Sequence, residues 1–353
     1  MKGLLFVVLH AAVVSSQDIT TEGRYDYIVS IPDVHGDLEA LLRALWMAKA
    51  EVDDLQQENM YESKFRKIFI SAIKNEPFET MKAVSDKKVL LIQTGDIIDR
   101  GEASLSCYKA MWQIQPILGW EVINLVGNHE VMTIAGRADH YAHPNDVKEF
   151  GSIKSRRAAF APGGQIWTKI TNEFQFLARV NIGESESILF VHAGIDPSWL
   201  KKISSGGSSS VSSINSLLMN ELKTNPNSKH LTSASSPIWT RDLANGSAKK
   251  VCENLLPKVF EMLQITRIVV GHTPQEQLVV DPKCGGKLIL ADVAMSRWMG
   301  SGQFGNPAAV VFALANNGAH LKRIQVNYWK GETQKVFEQL LFESQEEVEN
   351  HEL

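Results

Sequence analysis

The sequence predicts a layered α/β domain, and three observations carry that prediction. Short β-branched and aliphatic runs recur along the chain, and each ends in polar residues. Between them lie stretches with the 3.6-residue apolar period of helices. Hydrophobic residues make up 44% and charged residues 22% of the chain, which excludes a mostly disordered or collagen-like polymer. At 353 residues, the chain is one large domain or two modest ones and can bury a core of good size.

Taken in order, Tyr27–Ile31 reads as a strand that runs into Asp33. Leu38, Leu41, Leu42 and Leu45 then fall at i, i+3, i+4 and i+7, one apolar face of a helix opening after Gly36-Asp37. Val89–Ile92 leads into Gly95-Asp96, and Val122–Val126 leads into Gly127-Asn128-His129. Further on, Ile188–Val191 precedes His192, Ile268–Val270 precedes Gly271-His272, and Leu288–Leu290 precedes Asp292. Such short aliphatic runs suit strands buried on both faces. Alternating strand and helix implies an α/β layering, whose sites form at the carboxyl ends of strands.

Two segments read as insertions. Glu51 to Lys88 is charged and helix-prone, with Phe65, Ile68 and Phe69 as an apolar face. Residues 204–213 are Ser/Gly-rich, the composition of a flexible surface loop within one domain. From about Thr333 the chain reads as an acidic helical tail, 331–353, with Val336, Phe337, Leu340 and Leu341 on one side. The main domain spans 17–330. Residues 1–16 have the basic start, apolar stretch and small-residue exit of a secretory signal peptide, with cleavage expected after Ser16. The apolar run is shorter than the roughly 20 residues a membrane span needs. The expected destination is therefore the secretory pathway, with the protein secreted or held in the lumen of the endoplasmic reticulum or another organelle. The terminal Asn350-His351-Glu352-Leu353 shares only its last two letters with retrieval tetrapeptides, and an ordinary acidic tail is the alternative reading. Asn245-Gly246-Ser247 has the form of a glycosylation acceptor. Three cysteines, Cys107, Cys252 and Cys284, are too few for a disulfide framework and leave at least one thiol unpaired. A formal net charge of −4 argues against a nucleic-acid partner.

The polar strand ends are chemically specific when taken together: Asp33-x-His35, Gly95-Asp96-Ile97-Ile98-Asp99-Arg100-Gly101, Gly127-Asn128-His129-Glu130, His192-Ala193-Gly194 and Gly271-His272-Thr273. Each alone is a bland turn. In order, each after an apolar run, they supply the N/O donor inventory of a two-cation hydrolase, whose metals lie roughly 3.5–4 Å apart and share a carboxylate. Asp96 is the natural bridge. Asp33 and His35, two residues apart at one strand end, suit the first metal. Asn128, His192 and His272 suit the second.

These motifs resemble the calcineurin-like metallophosphoesterase superfamily and, within it, the phosphoprotein phosphatase group, whose G-D-x-x-D-R-G, G-N-H-E and H-A-G patterns stand here letter for letter. The resemblance runs from about Tyr25 to Leu314. Asp99 stands where purple acid phosphatases place a tyrosine ligand. Ala291–Arg297 replaces the toxin-binding signature of the eukaryotic enzymes, and with Pro237–Asp242 it is most similar to the bacterial-type, Shewanella-like branch. The resemblance implies a β-sandwich of mixed sheets flanked by helices, with two divalent ions (manganese, iron or zinc) at the strand carboxyl ends. It implies hydrolysis of phosphate monoesters, on phosphoproteins or small phosphoesters, by attack of a metal-bridging hydroxide. His129 matches the proton donor to the leaving oxygen, oriented by Asp99, and Arg100 matches one phosphate clamp. Arg241 matches a second clamp, with a surface ion pair to Asp242 or another acid as its alternative reading. Arg156 and Arg157 read as a solvated charge pair, and His140 and His143 as loop residues. Two rival functions share this metal core or its fold: a dinucleoside polyphosphate hydrolase, and a catalytically inactive phosphate-binding module.

Overall fold

The computed structural model describes residues 18–55, 61–81, 86–204, 210–300, 302, 305–330 and 335–344. The expected signal peptide, the retrieval-like C-terminus and residues 205–209 of the Ser-rich segment lie outside these residues.

Two six-stranded mixed sheets pack face to face, as the resemblance implies. The first runs β12-β11-β10-β2-β3-β4. Its strands are β2 (Tyr27–Ile31), β3 (Val89–Gln93), β4 (Glu121–Asn124), β10 (Ala308–Ala315), β11 (His320–Lys330) and β12 (Lys335–Glu343). The second runs β1-β5-β6-β7-β9-β8. It comprises β1 (Ile19–Thr20), β5 (Leu177–Ile182), β6 (Glu186–Val191), β7 (Arg267–Val270), β8 (Asp281–Lys283) and β9 (Leu288–Leu290). β2, β3 and β4 are mutually parallel, and so are β6, β7 and β9. Each set therefore delivers its carboxyl ends to one edge of its sheet. All of β3, β7 and β9 is buried, as continuous aliphatic runs require. Phe190 of β6 meets Phe312 of β10 edge to face across the two sheets, centroids 5.7 Å apart. Truncating either to alanine would cost ~3–5 kcal/mol through lost burial and the cavity left behind.

Helices cover the outer faces. α1 (Leu38–Val52) buries Leu41, Leu42 and Leu45, and the Asp37 carboxylate caps it by accepting from the Ala40 amide at 3.1 Å. In the 51–88 insertion, α2 (Arg66–Ile73) buries Ile68 and Phe69, and Phe65 packs on Phe69 at 4.9 Å. The insertion thus extends the core through its expected apolar face. α3 (Ser104–Leu118) and α4 (Asn128–Ile134) follow β3 and β4, while α5 (Pro144–Glu149) and α6 (Ile153–Phe160) close over the β3 end.

Three expectations are corrected. The tail is not helical where it is described: Lys335–Glu343 is β12, paired antiparallel with β11 along its length. Phe342 and Leu341 contact the core while Leu340 is 56% exposed. A segment of modest helical periodicity takes the open edge of β11 instead, because cross-strand pairing outweighs local propensity. The Ser-rich segment is shorter than expected, since Ser210 caps the helix Val211–Thr224 by accepting from the Ser213 amide. Finally, β4 stops at Asn124, and Leu125 makes only an isolated bridge to Gln175.

Cys252 and Cys284 form a disulfide with Cα atoms 5.3 Å apart, and Cys107 is a buried free thiol. No described helix is long and apolar enough to cross a membrane.

Candidate metal centre

The strand ends bring all six proposed ligands to one place. Asp33 and His35 follow β2, Asp96 follows β3, Asn128 opens α4 after β4, His192 follows β6 and His272 follows β7. Five of the six are 4% exposed or less, and His272 is 6% exposed. Nε2 of His35 lies 3.7 Å from Asp96 Oδ2 and 4.0 Å from Asp33 Oδ2. Nε2 of His192 lies 3.5 Å from the same Asp96 oxygen and 2.9 Å from Asn128 Oδ1. Two donor groups therefore share Asp96: His35, Asp96 and His129 in one, and Asp96, His192 and His272 in the other.

The backbone aims the donors inward at a conformational cost. His35, Asp96 and His272 all hold positive φ, at 45°, 55° and 65°. Non-glycine residues in this region are uncommon and cluster at functional sites, where surrounding bonds must hold them. Those bonds are present: the Val34 and His35 amides donate to the Asp96 carbonyl, and the His272 amide donates to both oxygens of Asp33. A β-carbon at Gly127 would collide with the Asp96 carboxylate, and one at Gly271 with that of Asp33. These two glycines are required by close approach.

Hydrogen bonds away from the centre fix two of the imidazoles. Nδ1 of His192 donates to the Thr94 carbonyl at 2.8 Å, and Nδ1 of His35 lies 3.3 Å from that of Ile98. Nε2 of His272 is buried and has no protein hydrogen-bond partner. Such an orphan is costly unless a ligand satisfies it. A buried set of carboxylate, amide and imidazole donors with this orphan fits a pair of borderline-hard divalent cations.

The electrostatics follow from burial among like charges. Burial pushes the Asp33 carboxyl well above the usual range, and Asp292 adds to this. Asp96 goes the other way: burial opposes its charge, but His192 and His129 hold it well below the carboxylate range. Burial drops His35 to about 4, and burial plus the neighbouring His192 drops His272 to about 2. Burial would also depress His192, yet Asp96 and then Asp33 carry it up to about 10.

Beside this cluster, Nδ1 of His129 lies 2.7 Å from Asp99 Oδ2. Burial lowers this imidazole, but Asp96 and Asp99 outweigh it and raise it above its ordinary value. Arg100 rests its guanidinium on the Tyr141 ring, 4.2 Å from the centroid, with a buried Nε that no protein atom satisfies. Arg241 donates to Thr273 Oγ1 at 3.1 Å and lies close enough to weigh on His272 and Asp292. Asp242 pairs with Lys250 instead, at 2.8 Å, so the Arg241–Asp242 alternative has no contact behind it.

Three further buried acids surround the site without a role marked by the sequence motifs. Glu130 accepts from the amides of Asp96, Ile97 and Gly127, each at 2.9 Å, and ties the second motif to the third. Asp292, after β9, accepts from the Ala294 amide at 3.0 Å, and burial raises it to about 6. Asp146 pairs with Arg156. Glu130 and Asp292 sit in motifs already visible, within G-N-H-E and at the end of an apolar run, whereas nothing local marks Asp146. Arg156 is itself a correction: it is fully buried between Asp99 and Asp146, not solvated. Its neighbour Arg157 is exposed and pairs with Asp139. His140 is exposed on a single 3₁₀ turn, and His143 caps α5.

The model of the calcineurin-like phosphoesterase family matches residues 27–276. The chain belongs to the calcineurin-like phosphoesterase family. It is accordingly a hydrolase of the phosphoesterase class. This phosphoesterase is 28% identical over 210 residues to an uncharacterized protein of Schizosaccharomyces pombe, covering 58% of this chain and 61% of that protein. It is 24% identical over 295 residues to Shewanella-like protein phosphatase 1 of Plasmodium berghei, covering 78% of this chain and 69% of that protein. Among solved structures, its fold is similar to a cold-active protein-tyrosine phosphatase of a psychrophilic Shewanella, with a TM-score of 0.63 and 19% identity. That match covers 93% of this chain and 84% of the other.

Proposed function

We propose that this phosphoesterase binds two divalent cations and hydrolyses phosphate monoesters, with phosphoproteins as its substrates. The observation that carries the reading is the sharing of Asp96 between two buried donor groups, one of which includes His129, itself paired with Asp99. Asp33, His35 and Asp96 would hold one cation; Asp96, Asn128, His192 and His272 would hold the other. When bound, manganese, iron or zinc supplies Lewis-acid neutralisation of the phosphate charge.

The chain's own residues do the rest. Arg100 and Arg241 bind the phosphate oxygens through charge-assisted hydrogen bonds. His129 is fixed by Asp99 through Nδ1, which leaves Nε2 to deliver a proton to the departing ester oxygen. Similarity to proteins called protein phosphatases supports the phosphoprotein reading. The signal-peptide-like start and the Cys252–Cys284 disulfide support passage through the secretory pathway.

A parallel screen of the metal-loaded protein on phosphoserine, phosphothreonine and phosphotyrosine peptides and on diadenosine tetraphosphate tests the substrate. Fastest turnover on a phosphopeptide supports the reading. Preference for the dinucleotide would make this a dinucleoside polyphosphate hydrolase, and turnover of none would leave a phosphate-binding module.

A further inference from the structure

We infer that Arg156 is a positioning residue for the proton donor, acting on His129 through Asp99. The inference rests on the assignment of His129 under the proposed function. Its basis is a closed, fully buried ring of polar groups. Nη2 of Arg156 donates to Asp99 Oδ1 at 2.5 Å, and Nε donates to Asp146 Oδ2 at 2.9 Å. Asp146 Oδ1 accepts from the Ser104 amide at 3.0 Å, and Ser104 Oγ accepts from the Asp99 amide at 3.2 Å. Asp99, Ser104, Asp146 and Arg156 are each 0% exposed. Asp99 is left with one oxygen uncommitted within the ring, and that oxygen faces Nδ1 of His129 at 2.7 Å.

The geometry has two consequences. Asp99 holds a positive φ of 71°, a conformation that needs external restraint. The ring supplies it from three elements: α3 through Ser104, α5 through Asp146 and α6 through Arg156. The guanidinium also bridges the two buried carboxylates, so it ties the position of Asp99 to that of α5 as well as α6. The arrangement uses different nitrogens of one planar group for the two carboxylates, with the Phe150 and Phe160 rings 5.9 and 5.7 Å from the guanidinium carbon. A lysine keeps the charge but cannot reproduce the fork. Removing the charge altogether would strand two buried acids, so the informative substitution is Arg156→Lys.

The test compares a phosphoserine peptide with nitrophenyl phosphate, whose leaving group departs without a proton. Arg156→Lys, with metal content unchanged, should slow the peptide about tenfold, a fraction of the 10²–10⁴ that general-acid catalysis supplies, and slow nitrophenyl phosphate by less than about threefold. In a His129→Asn background the same substitution should cost nothing further on the peptide, because its route of action is gone. Equal losses on both substrates, or an undiminished loss in the His129→Asn background, would overturn the inference. If Arg156→Lys does not fold by circular dichroism, Asp146→Asn replaces it; a selective loss of the same sign supports the inference and an unselective one overturns it. His129→Asn alone reports separately on the underlying assignment: if it shows no selectivity, the proton-donor reading fails whatever Arg156 does.

Discussion

Nε2 of His192 stands 3.5 Å from Oδ2 of Asp96, and the two residues come from different sheets. Asp96 follows β3 of one sheet and His192 follows β6 of the other, so the contact exists only when the sandwich is closed. In the metal-free protein this pairing keeps His192 protonated up to about pH 10.

A proton follows from that pairing. A cation must displace it from His192 to gain the imidazole, so metal uptake near pH 7 should release protons and affinity should climb as pH rises. Calorimetric titration of the metal-free protein with manganese, in buffers of different ionisation enthalpy, measures the release. The stability of the metal-free form has the matching sign. A pKa raised on folding contributes fully below about 6.5, the unfolded value, and its contribution fades as pH rises toward 10. Uptake without proton release would contradict this picture.

His129→Asn should depress hydrolysis of a phosphoserine peptide about 10²-fold or more and nitrophenyl phosphate far less, with both metals retained. Asp99→Asn should show the same selectivity in milder form, since it only orients the imidazole. Steady-state kinetics on the two substrates checks both variants. Equal losses would make His129 a phosphate-binding residue.

Arg241→Ala should weaken competitive inhibition by inorganic phosphate while leaving metal content unchanged. Hydrogen bonds to charged groups contribute ~1.5–3 kcal/mol, or roughly 10- to 150-fold in the inhibition constant, and the exposure of Arg241 places it at the lower end. Unchanged inhibition would leave Arg241 with no more than its bond to Thr273.

Replacing Cys252 and Cys284 together by serine should lower unfolding stability by roughly 3–4 kcal/mol, because the bridge closes a 32-residue separation and restricts the unfolded chain. Denaturant titration measures the change. A midpoint equal to that of the parent protein would mean that the bridge does not form.

What the sequence discloses here is set by the range of the physics. The strands and their polar ends were legible because a buried parallel strand writes itself as an unbroken aliphatic run, and because each such run gives way within a few residues to a candidate ligand. Leu288–Leu290 before Asp292 follows the same rule, yet the strand end alone does not say what the acid does there. Arg156 was misread because its partners, Asp99 and Asp146, are distant or unmarked in the chain, and only the docking of α5 and α6 buries it. Glu130 was visible, but its reach to the Asp96 and Ile97 amides depends on how α4 meets the β3 end. β12 was misread for a related reason: only the open edge of β11 converts that segment into a strand.

The central claim is that Asp96 serves two cations at once. An amide in its place cannot supply two anionic oxygens and removes one compensating charge from a site built for two divalent ions. Metal content by elemental analysis, read together with phosphoserine-peptide turnover, tests this directly on Asp96→Asn after both proteins are reconstituted with manganese. The wild type should hold two metals per chain and turn over, and the variant should lose metal and show no turnover above background. A variant that keeps two metals and near-normal turnover would contradict the account.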